Sequence, residues 1–228
     1  MFFVIIVSKY FIAFLIILFI YLYNNLNKMK ITTILIITTI LITILFSYMS
    51  YASNRRTERQ KYTVAKKEDL FEIRYYPKSI MATVVLPGAN YEGTKNNNFR
   101  TLAAYIFGGN KENKSIAMTA PVYMEKEGKG SKMSFVLPAQ YQLNELPQPK
   151  DSNIHVHYSD EGYYAALRFG GFANDKRIEE KEMELLEKLN HAGYELTGNF
   201  KYLGYNAPWD IVNRENDIIV KIAYKINE

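Results

Sequence analysis

The sequence predicts an α+β domain of two strand–strand–helix–strand–strand halves, an antiparallel sheet carrying two helices, behind a hydrophobic N-terminus. Three observations carry the prediction. Short runs rich in β-branched and aromatic residues sit between turn signals, as strands do. Each half holds one stretch with apolar residues at helical spacing, closed by glycine. A proline-bearing connector, Pro138 to Asp151, falls between two passages of the same element order. No residue-level repeat accompanies it, so the duplication rests on element order, and sheet plus helices gives a layered architecture.

The chain opens with two apolar runs, Phe2–Tyr23 and Ile31–Tyr51, separated by the polar break Asn24–Lys30. Each is long enough to cross a bilayer, which takes about 20 residues. As a hairpin of two spans, the positive-inside rule places Lys9 and the Arg55–Lys61 segment in the cytoplasm. With synthesis starting at Met29, Ile31–Ala52 becomes a secretory signal or a signal anchor. Ser50 and Ala52 provide the small residues a signal peptidase requires. The run is long for a cleaved signal and favours an anchor. Residues 1–52 therefore read as a membrane or signal-anchor region, its side of the membrane open.

Residues 53–68 carry Arg55, Arg56, Arg59, Lys61, Lys66 and Lys67 against Glu58 and Glu68. This segment holds most of the chain's net charge of +5, and its lack of period reads as a mobile charged linker. A basic excess beside a hydrophobic span points to a membrane surface and away from nucleic acid. None of the 228 residues is cysteine, which excludes disulfides, thiolate metal sites and cysteine nucleophiles.

From Asp69 the pattern becomes that of a folded domain, residues 69–228. Leu70–Tyr76 and Ser79–Leu86 read as strands joined at Tyr76-Pro77-Lys78. A helix follows, with Asn96, Asn97 and Asn98 as N-cap candidates, Phe99, Leu102, Ala103 and Ile106 along one face, and Gly108-Gly109 as its stop. Ser115–Glu125 and Ser131–Leu137 read as strands around a Gly128/Gly130 turn, with Pro121 barred from a central ladder position. In the second half, Asn153–Ser159 and Tyr163–Phe169 read as a hairpin around Asp160-Glu161-Gly162. Asp175–Ala192 reads as a surface helix capped by Asn174 and stopped by Gly193. Its stripe is Ile178, Glu182, Leu185, Leu189 and Ala192, apolar except at Glu182. Lys201–Tyr205 and Asp217–Tyr224 close the domain.

Several blocks along this region resemble the SOUL/haem-binding protein family: FEIRYYP (71–77), FRTLAAYIFGGN (99–110), KSIAMTAPV (114–122), MSFVLP (133–138), LPQP (146–149), LRFGGFA (167–173), GYNAPW (204–209) and RENDIIVKI (214–222). They run in order from about Asp69 to Ile222, and agreement over so many blocks is more specific than any single motif. The resemblance implies a distorted antiparallel barrel flanked by two helices, similar also to the effector-binding domains of bacterial multidrug regulators. It implies non-enzymatic binding of haem or another tetrapyrrole, for sequestration or delivery, with haem not required for the fold.

Haem needs an apolar slot, cations or amides for its propionates and, in some proteins, an axial ligand. The family's pocket is associated with the first helix. That carries the slot to Phe99, Leu102, Ala103, Ile106 and Phe107, with Met118 and Met124 as soft neighbours. Arg100, joined by Lys114, suits the propionates. Where some members carry a histidine after the arginine of the EIR block, this chain has Tyr75, a residue type that can ligate ferric haem. Read as pattern alone, the same stripe serves as ordinary core, and Tyr75 as an ordinary strand tyrosine.

The histidines lie elsewhere. His155 and His157, two apart on a strand, share one face, and no third metal ligand is near them in sequence. His191 closes the second helix, where a cation suits the helix dipole. For hydrolysis there is no nucleophile elbow, no HExxH and no phosphate-binding glycine loop. Glu72 beside Arg74 is either an exposed ion pair or, facing a pocket, the general base of a hydrolase. Trp209, after Pro208, reads as a seal for the barrel end. Other lipophilic small molecules remain the alternative cargo.

Overall fold

A computed structural model describes residues 14–21, 23, 31–87, 91–127, 130–207, 210 and 213–225. The chain divides into two compact units, residues 1–52 and 53–228. Most of the predicted first span, the polar break before Met29, the turn at Gly128 and the Pro208-Trp209 pair lie outside the described residues, whereas residues 14–21 are helical.

Helix α1 covers Ile31–Arg56. Its window Ile31–Tyr48 has a mean hydropathy of 2.2, and it is the one helix among the described residues long and apolar enough to cross a membrane. A signal sequence satisfies the same test. Four hydroxyls in this window bond back onto the helix: Thr38 to Ile34 O at 3.1 Å, Thr39 to Leu35 O at 2.8 Å, Thr43 to Ile40 O at 2.7 Å and Ser47 to Thr43 O at 2.8 Å. Such bonds satisfy polar groups without water.

The second unit begins with two strands in the segment read as a linker, β1 (Glu58–Arg59) and β2 (Thr63–Lys67). Backbone pairing rather than side-chain burial orders them, because β2 is exposed along its whole length yet bonds to β3. The first half continues as β3 (Glu72–Tyr76), β4 (Ile80–Pro87), α2 (Tyr91–Ile106), β5 (Thr119–Ala120), β6 (Val122–Glu127) and β7 (Gly130–Val136). The second half is β8 (Ile154–Tyr158), β9 (Gly162–Gly170), α3 (Asp175–Ala192), β10 (Lys201–Gly204) and β11 (Glu215–Lys221). Pro121, with no N–H to give, splits the predicted Ser115–Glu125 strand into β5 and β6.

Nine strands form one curled antiparallel sheet in the order β2-β3-β9-β11-β10-β6-β7-β4-β8, while β1 and β5 make a separate parallel pair. The order reads the same from either end once β2 is set aside. β10 and β6 meet at the centre, and each half lends its first strand to the other, β3 to β9 and β8 to β4. The predicted hairpin of Asn153–Ser159 with Tyr163–Phe169 is therefore corrected. Those strands are consecutive in sequence but lie near opposite ends of the sheet order, because β3 and β11 take both edges of β9 while β8 closes the far end of the sheet on β4.

Each helix packs on two strands of its own half, α2 on β4 and β7, α3 on β9 and β11. One apolar cluster joins both helices to the sheet, through Ile73, Val84, Leu102, Tyr105, Leu185 and Ile218. The other holds Tyr76, Met81, Tyr123, Tyr164 and Tyr205 and includes no helix residue, so it marks the opposite face. Helix α3 follows its sequence closely. Asn174 accepts from the Arg177 N–H at 2.9 Å, and Gly193 ends the helix at φ 74°. Ile178, Leu185 and Leu189 are buried, Glu182 is half-buried and Ala192 is exposed. The predicted N-cap of α2 is corrected: the helix starts at Tyr91, so Asn96–Asn98 lie inside it. Asn98 is instead fully buried and donates to Ser131 Oγ at 2.9 Å, anchoring the helix to β7.

Candidate functional site

Helix α2 has two faces with different work. Leu102, Tyr105 and Ile106 are buried at 0–1% exposure, so two of the predicted slot residues, Leu102 and Ile106, are engaged in the core. Phe99 is half-buried against Phe135, ring centroids 5.3 Å apart. Arg100, Ala103, Ala104 and Phe107 fall at helical spacing along the outer face. Arg100 and Ala104 are exposed, Ala103 is half-buried and Phe107 is 61% exposed.

The segment after α2 folds back against the helix end for reasons legible residue by residue. Gly108 takes φ 101°, a conformation L side chains resist. A Cβ on Gly109 would stand 2.5 Å from Ala104 O, and its N–H donates to that same oxygen at 2.7 Å. Asn110, fully buried, donates to Tyr105 O (2.9 Å) and Lys114 O (2.6 Å) and accepts from the Lys114 N–H (3.0 Å). The Ile116 N–H then donates to Ile106 O at 2.8 Å, and Phe107 bridges Ser115, which returns the chain beside Phe107. Met118 follows at 37% exposure, and Lys114 is exposed.

The LPQP block completes this loop. Tyr105 Oη donates to Pro147 O at 2.8 Å, the Lys111 N–H to Gln148 O at 2.9 Å, and the Gln148 N–H to Glu112 at 2.9 Å. The sequence reading took Gly108-Gly109 as a stop and assigned Asn110 no role. An asparagine following two glycines was the available signal.

The opposite sheet face carries a polar centre that the sequence reading missed. Arg74, 2% exposed, bonds Asp217 at 2.7 Å and Glu72 at 2.8 Å. Arg168 grips the same aspartate at 2.9 and 3.1 Å, and Tyr205 Oη donates to it at 2.8 Å. Burial pushes the Asp217 carboxyl up, but the Arg168 hydrogen bonds and the charges of Arg74 and Arg168 outweigh it and hold the group below the ordinary aspartate value. Burial chiefly lifts Tyr76 to about 12. The Glu72–Arg74 pair is therefore not an exposed surface pair. Its arginine is interior because Arg74 and Tyr76 share a face of β3 that meets β9 and β11.

Tyr75 points the other way on β3. Its ring lies 5.2 Å from that of Tyr163, and its hydroxyl lies 3.5 Å from Glu161, whose charge lifts the phenol above its ordinary value. A tyrosinate ligand to ferric iron would form against that field. Met124 is buried on β6. His155 is exposed on β8. His157 is half-buried, its Nε2 2.9 Å from Thr83 Oγ1. Among the described residues no group of three histidines and carboxylates could hold a metal ion.

The arrangement defines a class: an α+β module of two pseudosymmetric halves, presenting an apolar helix face flanked by cations. The chain matches the SOUL heme-binding protein family over residues 57–221, and it belongs to that family. Heme-binding protein 2 of Homo sapiens is 27% identical over 157 residues, covering 65% of this chain and 76% of that protein. The Mus musculus protein of the same name is 24% identical over 156 residues with the same coverage. Among solved structures, the EcmrR C-terminal domain superposes with a TM-score of 0.53 at 10% identity, covering 72% of this chain and 99% of that one. An uncharacterized conserved protein from Listeria innocua gives 0.51 at 9%, covering 68% and 93%. These two likenesses show the fold alone.

Membership supports haem as a possible cofactor, and the residues present meet two of its three requirements. Phe107, Ala103 and Met118 offer apolar surface, and Arg100 and Lys114 offer cations. None of the outer stripe residues of α2 ligates iron, and Met118, whose thioether can, would be a weak ligand beside it.

Proposed function

We propose that this chain binds haem or a related tetrapyrrole at the outer face of α2, non-enzymatically, for sequestration or delivery beside a membrane. The observation that carries the reading is the stripe from Arg100 to Phe107, exposed at Arg100, Ala104 and Phe107, with exposed Lys114 on a loop clamped by Asn110 and exposed Met118 four residues further on. An apolar surface open to solvent and bordered by cations suits a flat amphiphile with carboxylates at one edge. Leu102 and Ile106 support the face from behind, and Phe99 stands at its inner margin. Haem bound without a strong ligand exchanges readily, as a carrier requires. Helix α1 supplies the anchor in this reading, which places the domain at a membrane surface. Nucleic acid is not a partner.

A hydrolase built on Glu72 has less support. Its carboxylate is paired with Arg74 at 2.8 Å and lines neither the cavity among Tyr76, Tyr123 and Tyr164 nor the one over Ile80 and Val136.

The test is a hemin titration of the full chain in lipid nanodiscs, followed by Soret absorbance against empty nanodiscs. Saturable binding is expected, weakened several-fold by Arg100→Ala and by Phe107→Ser, and unchanged by Tyr75→Phe. Loss of the Soret shift in Tyr75→Phe would replace contact binding by tyrosinate ligation. Equal competition by iron-free lipophiles would widen the cargo beyond tetrapyrroles, and absence of saturation would sink the reading.

A further inference from the structure

The basic charge that the sequence places just after α1 is partly taken up by the fold. Arg59 pairs with Glu215 at 2.9 Å, Lys66 with Glu68 at 2.8 Å and Lys67 with Glu72 at 3.9 Å. A second group of cations gathers around the end of α2. Arg100 stands on its outer stripe, Lys111 and Lys114 on the loop that follows, and Lys150 on the segment against which that loop pairs through Asn110 and Pro149. All four are exposed, and among the described residues none of them pairs with a carboxylate. Lys111 donates to Gln148 Oε1 at 2.9 Å and Lys150 to Asn113 Oδ1 at 3.0 Å, both neutral amides.

The carboxylates of the same stretches, residues 99–118 and 146–151, are Glu112 and Asp151. Glu112 accepts from the Gln148 N–H at 2.9 Å, and Asp151 accepts from the Asn153 N–H at 2.9 Å. Both are turned onto backbone amides of their own loops. Four cations against two carboxylates leave this surface positive.

Apolar groups project from the same surface. Phe107 ends the stripe that Arg100 begins, and at 61% exposure it is the most exposed large apolar side chain among the described residues of the second unit. The loop returns beside it at Ser115, and Met118 follows at 37% exposure. A projecting aromatic ring ringed by lysine and arginine is what an interfacial segment offers an anionic leaflet. The ring enters the boundary between headgroups and acyl chains, while the cations lie along the surface with their charges at the phosphates. A covalent anchor keeps the bilayer within reach, so a weak contact suffices to hold the face there.

We propose that the outer face of α2 and the loop 107–118 dock onto an anionic bilayer, with Phe107 entering the lipid. The proposal rests on the anchor assigned above to α1. It gives the α2 face a second partner, lipid, which covers the apolar stripe when no tetrapyrrole does.

The chain has no cysteine, so one introduced cysteine takes a label uniquely. Phe107→Cys carrying the polarity-sensitive dye NBD, whose flat ring replaces the phenyl, is reconstituted full-length at one copy per nanodisc, without hemin. The lipids are phosphatidylcholine with and without phosphatidylserine, and His155→Cys, exposed on β8, is the control site. With phosphatidylserine the Phe107 site is expected to emit several-fold more brightly and further to the blue than the control, and to be quenched by acyl-chain nitroxide lipids. Replacing Lys111, Lys114 and Lys150 together by glutamine, or raising the salt, should return the emission to its level in phosphatidylcholine alone. Near-ultraviolet circular dichroism of each variant separates lost contact from lost fold. Incorporation into nanodiscs tests the anchor and the hemin titration tests the cargo, whereas the dye tests only the face. A Phe107 site no brighter than the control, equal emission in the two lipids, or emission indifferent to the triple glutamine variant would overturn the proposal.

Discussion

Asn110 shows how one side chain can hold a site. Its amide makes three hydrogen bonds inside a fully buried pocket, and the two glycines before it let the backbone approach closely enough to make them. Gly109→Ala would force the Ala104 carbonyl away, an expected loss of about 1–3 kcal/mol, readable in thermal unfolding. Asp217 is a second such residue, with two arginines and a tyrosine on one carboxylate. Asp217→Asn is expected to cost about 3–5 kcal/mol, since it leaves Arg74 buried beside a weakened partner. The pH dependence follows from the depressed value in the fold. The stability Asp217 contributes is complete above the unfolded-state value of about 3.9 and is lost as pH falls through the lower folded value. Denaturant melts at pH 5 and pH 2.5 should therefore show a steeper decline for wild type than for Asp217→Asn, and parallel declines would contradict this role.

Among the elements, α3 was legible in full because everything that specifies it is local: an asparagine cap, an apolar stripe, a glycine stop. Its one discordant position, Glu182, is pushed above the ordinary glutamate value chiefly by burial, with Glu179 adding to the rise and Lys126 opposing it. A raised acid opposes folding when ionised, so this cost is present above the folded value and disappears as pH falls. Glu182→Gln is expected to raise the melting temperature by about 2–4 °C at pH 7 and to change nothing at pH 3, as differential scanning calorimetry would show. A lower melting temperature at pH 7 would mean that the Lys126 attraction outweighs burial. The start of α2 was misplaced for the opposite reason. The three asparagines match the chemistry of a cap, but Asn98 is used across the sheet, on Ser131, a partner no local pattern reveals.

At the scale of the whole molecule, the exchange of first strands between halves explains why the domain needs its entire length. β3 completes the second half and β8 the first, so neither half has a full sheet alone. The N-terminal unit contributes something different, an apolar helix in which four hydroxyls, from Thr38 to Ser47, return to its own backbone. Deleting residues 1–52 is expected to move the protein from the carbonate-resistant membrane fraction to the supernatant. Retention of the truncated chain in the pellet would place the membrane contact in residues 53–228 instead.

The sequence by itself determined the family, the α+β class and the order of elements from residue 69 onward, because blocks of residues and helical periodicity are local properties of a chain. Tertiary structure alone decided which strands pair, that Leu102 and Ile106 are spent on the core while Arg100 and Phe107 are not, and that Arg74 meets Asp217. Those outcomes depend on partners more than a hundred residues apart in the case of Arg74 and Asp217, and on which side of a curled sheet each alternate residue faces. A periodicity shows that a helix has an apolar face. Only the packed fold shows how far that face extends beyond what the core covers.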